Sequence, residues 1–116
     1  MTKKRIAELY GFLSVASMKR LTDDEKAAFI RLLRMMKPVA NEIQTAVNDA
    51  VAKAREACES EQEVLALVNK SMEDLANAPT DLIVKTMTAD MFNRLCLSND
   101  WTFAQIDELE QELVTS

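Results

Sequence analysis

Histidine is missing from all 116 positions of this chain, and its absence removes Ser-His-Asp and Cys-His nucleophilic arrangements together with the commonest transition-metal ligand. Glycine occurs once, at Gly11, and proline twice. One glycine excludes a Gly-rich phosphate loop and a dinucleotide fingerprint, and so few turn residues exclude an all-β fold. The two cysteines, Cys58 and Cys96, have neither CxxC nor any other ligand spacing, so no zinc site or disulfide framework is indicated and a reducing cytoplasm is expected. Lys3, Lys4 and Arg5 carry the charge of a signal-peptide start, but Glu8, Ser14 and Lys19 interrupt the apolar core such a leader needs. No apolar run approaches the ~20 residues of a membrane span.

What remains is rich in Ala, Leu, Glu, Lys, Met and Gln, all good helix formers. The longest pattern runs through Phe29, Leu33, Met36, Ala40, Ile43, Val47, Ala50, Ala54 and Ala57, with steps of four and three that place these residues along one helical seam. The seam narrows to alanine, so its second half asks for a partner helix at close range. An all-α fold follows: a long kinked helix in an antiparallel αα-hairpin, flanked by an N-terminal helix and two short C-terminal ones. One domain is expected over 1–116, with residues 1–77 as the hairpin core and 78–116 as an extended link and the last two helices.

Taken in order, Ile6, Leu9, Tyr10, Leu13 and Ala16 predict a helix over 3–18, weakened at Gly11. Thr22-Asp23-Asp24-Glu25 is a capping box that starts the long helix, which extends to about Cys58. Pro38 lacks an N–H and clashes with the preceding turn; the uninterrupted seam favours a kink there over a break. Ser60-Glu61-Gln62-Glu63 is a second capping box, followed by Val64, Leu65, Val68, Met72 and Leu75, and Asn77-Ala78-Pro79 ends that helix, with Asn77 suited to a left-handed cap. Residues 82–86 favour extended backbone and read as a short strand or an extended link near nothing in the chain to pair with. Thr88 starts a helix to Leu97, with Met87 and Phe92 as its hydrophobic staple. Thr102 and Gln105 box the last helix, to Val114, between staple residues Trp101 and Ile106. Phe103, Ile106, Leu109 and Leu113 then form one apolar face.

The formal charge of −5 is unevenly placed: residues 1–37 hold nine Lys/Arg against four acids, and the remainder five against fifteen. Lys3, Lys4, Arg5, Lys19, Arg20, Arg31 and Arg34 are therefore the candidate residues for nucleic acid, with Lys26 and Lys37 extending the Arg31 and Arg34 face. The last two helices have helix-turn-helix spacing, but Asp107, Glu108, Glu110 and Glu112 would set negative charge against phosphate. Glu59, Glu61 and Glu63 alternate around a helix start without converging, and no Glu-x-x-His pair exists for a di-iron site. No catalytic residue, cofactor or metal is indicated. The seven methionines are read as core fillers before groove lining, and both cysteines as small buried hydrophobes.

In layout the chain resembles a family of short, functionally uncharacterised helical proteins encoded by tailed phages and prophages. The likeness lies in Ile-Ala-Glu-Leu-Tyr-Gly-Phe-Leu from Ile6, Leu-Thr-Asp-Asp-Glu-Lys-Ala-Ala-Phe from Leu21, the helical hairpin, the extended link before Thr88 and Thr-Phe-Ala-Gln-Ile-Asp-Glu-Leu from Thr102. The resemblance implies no catalytic residues. Residues 29–57 outreach their partner helix at 60–76, leaving the Phe29, Leu33 and Met36 end to be covered by the chain's other helices or by another chain. Those three and Trp101 are the candidate protein-interaction residues. The expected function is a non-enzymatic helical interaction or assembly protein, acting on another protein or on itself as a homo-oligomer. The alternative is a small nucleic-acid-binding regulator using the basic N-terminal third.

Overall fold

The computed structural model describes residues 1–115. Five helices account for most of them: α1 (Lys3–Leu13), α2 (Asp23–Ala57), α3 (Glu61–Asn77), α4 (Ala89–Leu97) and α5 (Phe103–Leu113). No strand is formed among the described residues, so the class is all-α as expected. Side-chain caps start each of the five. The Thr2 hydroxyl accepts from the Arg5 N–H at the head of α1, and Thr22 and Glu25 exchange hydrogen bonds at the head of α2. Ser60 and Thr88 cap α3 and α4 through the N–H groups of Glu63 and Met91, and Thr102 and Gln105 complete a reciprocal box on α5.

α2 passes through Pro38 as one element of 35 residues. Its two ends belong to different compact units. Residues 1–11 and 36–81 form the first unit, and residues 12–35 with those from Leu82 onward form the second. This grouping differs from the expected core of residues 1–77, because the first half of α2 clusters with the C-terminal helices.

In the first unit, α3 packs along the second half of α2. Near the 58–60 connection, Ala54 is buried together with Val64 and Val68, with Ala50, Val51, Cys58 and Met72 packed around them. At the far end, Lys3 Nζ donates to Glu42 Oε1 at 2.8 Å, and the Lys3 N–H donates to the Ala78 carbonyl at 2.9 Å. Contacts at both ends therefore give α2 and α3 opposite directions along this arm. Thr2 and Pro79 form a single antiparallel bridge beside it.

The second unit holds eleven of the seventeen buried apolar residues: Leu13, Leu21, Phe29, Leu32, Val84, Met87, Met91, Phe92, Leu95, Leu109 and Leu113. Long-range polar contacts fix its loops. Asn99 accepts from the Ser17 N–H at 2.8 Å and donates to the Ser17 carbonyl at 3.0 Å and the Leu95 carbonyl at 2.9 Å. Ser98 Oγ accepts from the Arg20 N–H and donates to the Arg94 carbonyl, both at 2.9 Å. Arg94 grips Glu25 with two nitrogens, and Phe12 and Trp101 meet with ring centroids 5.2 Å apart at 39°.

Several expectations are corrected. α1 stops at Leu13, not residue 18, because the Ser17 N–H is drawn to Asn99 instead of a helical carbonyl; Val15 beyond the end is 85% exposed. Residues 82–86 form no strand: the Thr86 N–H turns back onto the Val84 carbonyl at 2.9 Å, a three-residue turn. Pairing comes one residue later and within the chain, where Met87 makes a single parallel bridge with Val114, its N–H donating to Leu113 and its carbonyl accepting from Thr115. Asn77 is the last helical residue and not a left-handed cap; Ala78 leaves in extended geometry, and no residue outside glycine has positive φ among those described. Phe103 leaves the apolar face of α5, being 83% exposed, and Ala57 at the end of the seam is exposed.

Candidate protein-interaction groove

Periodicity puts more apolar surface on α2 than one partner helix can cover. Around Ala54, which faces α3, two rows diverge: Ile43, Val47 and Val51 on one side, and Ala46, Ala50 and Ala57 on the other. Steps of four along a helix of 3.6 residues per turn drift around its axis, which separates the rows. α3 behaves similarly, with Leu65 and Ala76 on the first side, Leu67 and Leu75 on the second, and Met72 lining both.

The first side is a groove of about 720 Å³. Its floor is formed by Ile43, Val47 and Val51 of α2 with Val64, Val68 and Met72 of α3, and Leu65 rises from its edge, 61% exposed. Charged residues stand only at the ends: Arg55 and Glu61 beside the 58–60 connection, Lys4 and Glu73 at the other end. The second side, about 550 Å³, is lined by alanines, Asp49 and Lys53 of α2 and by Leu67, Ser71, Met72 and Leu75 of α3. In the cluster that joins the second half of α2 to α3, the buried residues are Ala54, Val64 and Val68.

The residues expected to meet a partner lie elsewhere. Phe29 is 1% exposed and Met36 is buried, so this chain already covers them; Leu33 is half-buried, and Trp101 is half-buried with its ring against Phe12. Ile30 and Met35 are the exposed large apolar residues of the long helix, both in its first half, whereas Ile43, Val47 and Val51 of the second half are half-buried along the groove. Val51 lies outside the 4-3 seam, and Leu65 belongs to the apolar run of α3 without being a candidate contact there; the signal for both is that α2 and α3 carry apolar residues over more than one stripe.

Among the basic candidates, Lys3 is paired with Glu42, and Arg5 with Glu8 at 3.2 Å. Lys4 is exposed at the groove end. In the second unit the side chains of Lys19, Arg20, Arg31 and Arg34 are exposed, and the Arg20 backbone N–H is held by Ser98. Lys3 and Arg5 are therefore partly neutralised where nucleic-acid contact would need net positive charge.

Perturbed titration occurs away from the groove and has structural causes. The Arg94 hydrogen bonds, then the Thr22 N–H, hold the Glu25 carboxyl down at about 2, and Glu25 in turn raises Arg94. Burial pushes the Cys96 thiol up, and the Glu110 charge adds to the rise, which disfavours the reactive thiolate. Among the described residues no group of three or more Cys, Asp or Glu is arranged to hold a metal ion, and no helix is long and apolar enough to cross a membrane. Neither a family model nor a curated protein nor a solved structure matches the chain.

Proposed function

We propose that the protein is a non-enzymatic helical interaction or assembly protein whose docking surface is the groove between α2 and α3. The observation that carries this reading is a groove of about 720 Å³ with an apolar floor, charged only at its ends and flanked by an exposed Leu65. Apolar grooves of this shape accept the apolar face of a further helix, which removes both surfaces from water. No titratable groups converge on its floor, which argues against turnover at this place. A phage or prophage origin, implied by the resemblance of the opening and closing motifs, suits an assembly role.

A photo-crosslinking side chain at Leu65, in cells making the protein, tests this reading. A covalent adduct with a second polypeptide of defined mass is expected at Leu65 and not at exposed Lys85. No adduct at Leu65 would overturn it. Purified protein that binds DNA at low salt, with affinity falling steeply as salt is added, would support the nucleic-acid alternative instead.

A further inference from the structure

The pattern of charge at the two ends of the groove selects an occupant. We infer that a second copy of this chain fills it, with the two arms related by a two-fold axis running along their length, so that α2 of each copy lies over α3 of the other. The inference rests on the groove being the docking surface.

Two ways of stacking one arm face to face on its copy are compatible with a two-fold axis. If the axis runs across the arms, α3 lies on the partner's α3 in opposite direction, and Glu61 at one end meets the partner's Glu73 from the other end. Like charges would then oppose each other twice over. If the axis runs along the arms, equal ends coincide and α2 covers the partner's α3. Arg55 then faces the partner's Glu61, and symmetry repeats the contact. At the far end Lys4 and Glu73 meet the partner's Glu73 and Lys4 on the same principle. Arg55, Glu61, Lys4 and Glu73 have no ion pair among the described residues, so all four charges remain to be matched. The apolar floor lies between these ends, where the long side chains of Leu65 and Met72 would interleave with those of the copy.

The face is small for an interface between two chains. α3 has 17 residues, about 25 Å of helix at ~1.5 Å per residue. Two helices side by side are ~20 Å wide, so the face covers roughly 500 Å², below the ~800 Å² per partner of a standard interface. A face of this size belongs with weak, transient interfaces, and its charged ends make the association sensitive to salt.

Sedimentation velocity of the full chain at low salt, from low to high micromolar concentration, is the experiment. Wild-type protein is expected to pass reversibly from monomer to dimer. Arg55→Glu and Glu61→Arg should each weaken the dimer at least ~10-fold, because each places like charges at both symmetric contacts. An equimolar mixture of the two variants should regain dimer to within about threefold of wild type, since every Arg55 to Glu61 contact is again between opposite charges. Restoration on mixing is something that damaged folding would not give. A wild-type monomer at every concentration overturns the inference, as does an Arg55→Glu chain that dimerises more tightly or a mixture that stays monomeric. If wild type is monomeric while Leu65 crosslinks to a different protein, the second copy is overturned and the docking groove stands; if Leu65 crosslinks to nothing, the groove falls as well.

Discussion

Eleven of the seventeen buried apolar residues lie in the second compact unit and six in the first, although the second also leaves Val15, Ile83, Leu97 and Phe103 exposed. The second unit puts Phe29, Leu32, Met87, Phe92, Leu95 and Leu113 fully inside and then pins its loops with Asn99, Ser98 and the Glu25–Arg94 pair. The arm of the first unit buries only Ala54, Val64 and Val68 in its cluster and leaves Leu65 and Leu67 at the surface. A helix pair alone has one line of contact, whereas its apolar side chains occupy a wide sector, so part of that sector stays open until a further layer is added. The first arrangement has the character of a finished core and the second that of half of one.

The largest effect should come from emptying the finished core. Phe29→Ala is expected to cost about 3–5 kcal/mol by chemical denaturation, whereas Leu65→Ser on the open arm should cost less than ~0.5 kcal/mol in dilute protein. Equal losses would erase the distinction between the regions. Within the arm, Ala54→Leu should cost on the order of 1–3 kcal/mol through overpacking against Val64 and Val68. An unchanged melting temperature would mean that the arm can open freely at its single packed line. Asn99→Ala removes hydrogen bonds to Ser17 and Leu95 and should cost about 1–2 kcal/mol, with faster exchange of the Ser17 amide.

The smallest expected effect concerns acid. Glu25 has a folded value of about 2 against an ordinary 4.5, so its contribution is complete above pH 4.5 and is lost as pH falls from there toward 2. The Arg94 side chain is 40% exposed, so solvent screens the pair and moderates the loss. Glu25→Gln should flatten the acid limb of stability against pH; an identical slope in the variant would remove the pair from the account of the second unit.

Local chemistry made the helices legible. Thr22 with Glu25, Ser60 with Glu63, and Thr102 with Gln105 announce helix starts within four residues, and each occurs where the pattern places it. Contacts between distant residues were not legible in the same way. Asn99 reaches 82 positions back to Ser17 and ends α1 early, and Glu25 meets Arg94 across 69. Residues 82–86 form no bridge, and the one that does form here joins Met87, just past the turn at Thr86, to Val114. The groove was hidden for a related reason. A single seam accounts for Ala54 and predicts a close partner, but Val51 lies off that seam, and only the position of α3 decides that Val47 and Val51 line one side while Ala46 and Ala50 line the other.

The most direct test of the claim that the arm is half of a core is native-state amide exchange, read residue by residue in dilute and in concentrated protein. In the dilute sample the amides of 43–57 and α3 should exchange through openings of lower free energy than those of Phe29, Leu32 and α4, and in the concentrated sample protection should rise in the arm alone. Arm amides as protected as those of the second unit when dilute, or protection that ignores concentration, would contradict it.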